Sequence, residues 1–151
     1  MRGRADGRTG NSTARPDLIR HFRGRSLGFV MMPYEKFDAW KASHELALEI
    51  YRVTEGWPPA ERYQLTAQTR RAALSAPTNI AEGSSKRGAR EFRRYLDIAR
   101  GSLSELSYLL LFSRDRGILD EETFGKVDAL RDRAGKITWG LYASLSPTRS
   151  S

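Results

Sequence analysis

Residues 74–85 read LSAPTNIAEGSS, and the fold turns on whether they form a loop or a helix. Serine, asparagine, glutamate and glycine around a proline could build a catalytic loop. The same residues could be the polar face and end of a helix. At the helical period of about 3.6 residues, Arg70, Ala73, Leu74, Pro77, Ile80 and Ala81 gather on one side. Gln68, Arg71, Ser75, Asn79 and Glu82 gather on the other, at steps of three, four, four and three, so each can touch the next. A loop has no reason to keep this period across Pro77. The stretch is therefore read as a helix, with a core face, a polar stripe and Gly83 as its C-terminal cap. Pro77 removes the bond to the carbonyl of Ala73 and is expected to kink it. Gln, Ser and Asn serve a merely solvated face less well than Glu and Lys. The stripe is thus expected to bond to a neighbouring chain.

The same period organises the rest of the chain. A first helix is expected from Phe37 to Glu55, with Phe37, Trp40, Ala47, Ile50, Tyr51 and Thr54 on its stripe. Gly56 and the following Trp-Pro-Pro end it. The second helix is expected from Pro59, a good first-turn residue, to Glu82. The third is expected from Ala89 to Arg116, stopped at Gly117 with Ile118 folding back as its hydrophobic contact. Asp120 is a good N-cap for a fourth, whose stripe is Phe124, Val127, Leu130, Ala134, Ile137, Leu141 and Leu145. Four helices with short connections imply an all-α, antiparallel up-down-up-down four-helix bundle with a kinked second helix.

Residues 33–146 would form this bundle and 147–151 a frayed tail. Residues 1–32 hold seven arginines, two aspartates and five glycines, with little apolar periodicity. Two readings stand for them: a disordered basic arm, or sequence ahead of a natural start at Met31 or Met32. On the second reading five of the eight net positive charges fall away.

The third helix carries the charge that remains to be explained. Phe92, Tyr95, Leu96, Ala99, Leu103, Leu106 and Leu110 make its core stripe. Opposite lie Arg90, Arg93, Arg94, Asp97 and Arg100, with Lys86 and Arg87 just before them. That is six cations within fifteen residues. Asp97, four residues from Arg93, would pair with it, but one aspartate cannot neutralise six cations. Arginine's planar fork suits phosphate, so Lys86, Arg87, Arg90, Arg93, Arg94 and Arg100, with Arg71 from the second helix, are candidate nucleic-acid contacts. Further along, the outer side becomes Tyr108, Leu111 and Phe112. That segment is apolar all round and is expected to seat a second copy of the chain.

Other chemistry is thinly represented. The 151 residues include no cysteine and two histidines, His21 and His44, far apart in the chain. No metal-ligand spacing such as HExxH occurs. Glu82 beside Ser84 and Ser85 has no base arranged with it, which a nucleophile needs. No apolar run approaches the roughly 20 residues of a membrane span. A non-enzymatic cytoplasmic protein without cofactor or metal is expected.

The run FDAWKASHELALEIYRVTEGWPPAERYQLTAQTRRAALSAPTNIAEGSSKRGAREFRRYLDIARGSLSELSYLL, residues 37–110, resembles the four-helix bundle protein family. This is also called the 23S rRNA intervening-sequence protein family, and it includes the accessory variability determinant of diversity-generating retroelements. The resemblance spans roughly residues 35–145. It is most specific at Gln68–Arg71, Ser75, Pro77, Asn79, Ile80, Ala81, Glu82 and Gly83, with Phe92, Tyr95, Leu96, Ala99, Gly101, Ser102 and Glu105 adding to it. It implies a bundle that assembles as a ring, typically a homopentamer, and binds RNA or DNA. In the retroelement branch it implies contact with a reverse transcriptase. It carries over no catalytic residue. One departure stands out: Gly88 occupies the place where the family often has a Ser or Thr N-cap, so a weaker start to the third helix is expected.

Overall fold

The computed structural model describes residues 30–145. The expectations for the Arg/Gly-rich segment up to residue 29 and for the tail from 146 fall outside the described residues. The four helices are α1 (Asp38–Thr54), α2 (Leu65–Ser84), α3 (Ala89–Asp115) and α4 (Glu121–Ser144), with short 3-10 turns at Pro33–Lys36 and Pro59–Glu61. They lie wholly within the unit that begins at Met32. Among the described residues no strand occurs.

Each helix packs on its neighbours in sequence, and α4 closes on α1, while the diagonal pairs do not meet. This is a square, antiparallel four-helix bundle. Leu46, Ile50, Ile80, Leu96, Leu106, Leu110 and Val127 are the large apolar side chains fully withdrawn from water. Burying each contributes about 1.5–3 kcal/mol. A second apolar cluster fills one end of the bundle, where Ala39, Ile80, Phe92, Leu96 and Ala99 meet Phe37, Trp40 and Leu141. That end also carries the loop 85–88 and the start of α3.

The helix boundaries follow local chemistry. The Asp120 carboxylate accepts from Thr123 N and Oγ1, both at 2.8 Å, and so caps α4. Those bonds hold its carboxyl below the usual range. At the end of α3, Ile118 N donates to the Ser113 carbonyl and Gly117 N to that of Arg114, both at 2.9 Å. Gly117 has φ +74°, and Ile118 packs on the core, completing the expected Schellman stop. Gly88, at φ +82°, opens α3 with no side-chain cap, as its lack of a hydroxyl implies.

Four expectations about the first two helices need correcting. Pro59 does not begin α2: it opens a separate 3-10 turn, and Gln64, at φ −117° and ψ −99°, breaks the path before Leu65. Gly83 is not the cap. It lies buried in the last turn of α2, where a Cβ would stand 2.6 Å from Tyr95 Cβ and 2.9 Å from Phe92 Cδ2. Its role is to let α3 come close. The buried face of α2 is also turned from the projected one. Leu74 is 48% exposed, while Thr69, Ala72, Ala76 and Gly83 are buried beside Ala73, Pro77 and Ile80. Small side chains face α3 because the helices approach closely there, and Leu74 is rotated outward. On α1, likewise, Tyr51 is exposed and Leu46 takes the core position. Helix α2 runs as one element through the buried Pro77.

Candidate nucleic-acid interface

Two seams flank α3, and they separate the sequence-derived candidates. Along the α2–α3 seam the polar stripe finds partners within the chain. Asn79 Nδ2 donates to the Ser75 carbonyl at 2.8 Å and to Ser75 Oγ at 3.0 Å. Ser102 Oγ donates to Ser75 Oγ at 2.8 Å. Gln68 Nε2 reaches Glu105 Oε1 at 3.4 Å. The stripe expected to meet another chain thus ties α2 to α3, although Gln68 and Glu82 stay exposed. Arg71 is exposed on α2, between Gln68 and Ser75 in sequence. It is not brought to the cationic end of the bundle.

That end gathers the other six cations. Lys86 lies 3.9 Å from Glu82, Arg94 3.3 Å from Glu91 and Arg100 3.2 Å from Asp97. Asp97 therefore pairs with Arg100 and not with Arg93, because the i,i+3 reach is the one realised. Glu91 and Glu82 add two carboxylates to the single aspartate of the sequence reading. The Glu91 hydrogen bond holds the Arg94 guanidinium yet more firmly in its charged form. Among the described residues Arg87, Arg90 and Arg93 have no carboxylate within ion-pair distance. The N-terminus of α3, uncapped by a side chain, points its unpaired amides to the same end.

The α3–α4 seam holds residues that sequence reasoning missed. Arg93 lies 4.4 Å over the Tyr142 ring, and Arg100 lies 4.5 Å over Trp139 and 5.3 Å over Tyr142. The two rings stack at 5.5 Å with 22° between their planes. Arg93 Nε is buried without a hydrogen-bond partner among the described residues. An open groove of about 340 Å³ runs here between Arg90, Arg93, Arg94, Asp97, Tyr142 and Leu145. The spacing of Trp139 and Tyr142, three apart and off the apolar stripe of α4, was the signal available. Toward α2, Tyr95 offers its ring to Arg94 at 4.7 Å and to Lys86 at 5.6 Å.

Tyr108, Leu111 and Phe112 stand on the outer side of α3 in its second half, all exposed, Tyr108 at 63%. The rings of Tyr108 and Phe112 lie 6.4 Å apart. Among the described residues no cluster of three His, Cys, Asp or Glu could hold a metal ion. No helix there is long and apolar enough to cross a membrane.

Comparison with known proteins agrees with this architecture. The profile of the 23S rRNA-intervening sequence protein family matches residues 35–140. No curated protein matches the chain. A crystal structure of a protein of unknown function from the S23 ribosomal protein family of Bacteroides thetaiotaomicron superposes with a TM-score of 0.63. It shares 19% identity over 69% of this chain and 97% of that one, a likeness that speaks to the fold. With the bundle, the residue pattern and the span of the match in agreement, the chain belongs to the 23S rRNA-intervening sequence protein family.

Proposed function

We propose that this protein is a non-enzymatic, basic, homo-oligomeric bundle that binds the backbone of RNA or DNA. Lys86, Arg87, Arg90, Arg93, Arg94 and Arg100 would contact phosphate. The observation that carries the reading is the set of arginines at one bundle end without carboxylate partners among the described residues. Guanidinium groups left free of internal pairing are available for bidentate phosphate contacts. Each phosphate neutralised releases counterions, so affinity should fall steeply with salt. Ser75 and Asn79, from the stretch that could have built a catalytic loop, are bonded to each other, and Ser75 to Ser102 across the α2–α3 seam, which favours binding over catalysis. Nuclease activity with an added divalent cation would contradict this part of the reading.

A second reading, a protein-interaction scaffold or accessory subunit, is favoured by one observation: Tyr108, Leu111 and Phe112 form an exposed apolar strip on α3. The family resemblance suggests a second copy of the chain, in a pentamer, as occupant of that strip. It also suggests a reverse transcriptase as a partner for one branch. Leu111→Asp is expected to give a folded monomer by light scattering. A full oligomer from that variant would remove the strip from the assembly. The two readings are compatible, since the strip and the cationic end occupy different halves of α3.

A further inference from the structure

We propose that the α3–α4 seam is a base platform, so that the nucleic acid bound is single-stranded, with at least one base stacked on Trp139. The proposal rests on the phosphate-binding reading of the neighbouring arginines and adds to it the form of the nucleic acid.

Trp139 is 51% exposed and belongs to neither apolar cluster. It adds little to the core, and half of its surface is left open to a ligand. It is also held in place. Its ring stacks on Tyr142, which packs against the apolar cluster at the bundle end. Arg100 lies over both rings and is tethered by Asp97. A rigid exposed ring beside fixed guanidinium groups is the arrangement that binds unstacked bases.

The groove beside it carries the complementary part. Arg90, Arg93 and Arg94 line it together with the Tyr142 ring. Arg93 lies over the Tyr142 ring with no carboxylate within ion-pair distance among the described residues, which leaves its guanidinium charge for a phosphate. The order along the seam is then phosphate contacts at Arg90 and Arg94, a shared region at Arg93 and Tyr142, and a ring at Trp139. A strand laid along it can put its backbone on the first and a base on the last. A duplex cannot, because its base faces are already stacked.

The test compares a labelled 12-nucleotide oligouridylate with a duplex of the same length, by fluorescence anisotropy across a salt series. The full chain and Trp139→Ala and Trp139→Phe variants are measured, with circular dichroism confirming the fold. The platform predicts tighter binding of the single strand. Trp139→Ala should weaken single-strand binding by about 5- to 150-fold, the range of one base stack. Duplex affinity and the salt slope should stay unmoved, and Trp139→Phe should recover most of the loss. Equal binding of both probes, or an equal loss on both from Trp139→Ala, overturns the platform while leaving phosphate binding intact. Binding of neither probe by the unaltered chain overturns the phosphate reading, and the platform with it.

Discussion

The two seams of α3 are made of different chemistry. Toward α2 the closest contacts are small or hydroxyl-bearing: Ser75, itself bonded by Asn79 of its own helix, with Ser102, and Gly83 against Tyr95. Each named hydroxyl or amide there has a partner in the chain. Toward α4 the contacts are large and charged: Arg93 and Arg100 lie on Tyr142 and Trp139, and the Arg93 Nε–H is left over. A seam whose polar groups satisfy each other is architecture. A seam with cations free of carboxylate partners and a half-exposed ring has capacity to spare for a ligand. On this view the polar motif most like an active site maintains the fold, and the plain-looking arginines do the binding.

Changes to the first seam should therefore alter stability, and changes to the second should alter binding. The largest stability effect is expected at Gly83. Gly83→Ala gains up to about 1 kcal/mol of helix propensity, but its Cβ collides with Tyr95 Cβ, which sits next to backbone and cannot swing away. Overpacking of this kind costs about 1–3 kcal/mol, so chemical denaturation should show a net loss, with nucleic-acid affinity of the folded protein unchanged. A variant as stable as the parent would mean that the close approach of α2 and α3 is not as drawn.

Arg93→Met should show the reverse. The apolar stem is kept, and the buried donor without an acceptor is removed. That removal offsets the lost contact with Tyr142, a cation–π interaction of about 0.5–2 kcal/mol. Denaturation should find stability changed by less than about 1 kcal/mol, while nucleic-acid binding weakens. A large loss of stability with binding intact would make the α3–α4 seam architectural too.

The smallest effect lies at Asp120, away from both seams. Hydrogen bonds from Thr123 lower its carboxyl pKa in the fold. A group lowered in the native state adds stability that is present above its unfolded value, about 3.9. That stability is lost as pH falls through the folded value. Thermal melts should thus decline more steeply below about pH 4 for the parent than for Asp120→Asn, which caps without titrating. Identical profiles would remove this cap from the acid response.

How far the sequence could be read depended on side-chain size. The four helices, the Schellman stop at Gly117 and the Asp120 cap were readable because each rests on local chemistry. The facing of α2 was not, because a projection weighs Leu74 as core. Packing instead selects Ala72, Ala76 and Gly83, whose merit is the space they leave. Gly83 looked like a cap for the same reason: a glycine's value to a neighbouring helix leaves no mark on its own. The arginines at the bundle end were found from their spacing. Trp139 and Tyr142 were missed because they come from α4, about forty residues on, and only the antiparallel closure of α4 on α3 brings them under Arg93 and Arg100.

On the phosphate-binding proposal the exposed arginines at the start of α3 neutralise phosphates. This is tested most directly by the salt dependence of oligouridylate binding in the parent and in an Arg87→Ala, Arg90→Ala, Arg94→Ala variant. Each single-strand phosphate contact contributes about 0.7 to the slope of log K against log salt concentration. The slope should be shallower by about 2 in the variant, with affinity reduced most at low salt. An unchanged slope and affinity in a folded variant would contradict it.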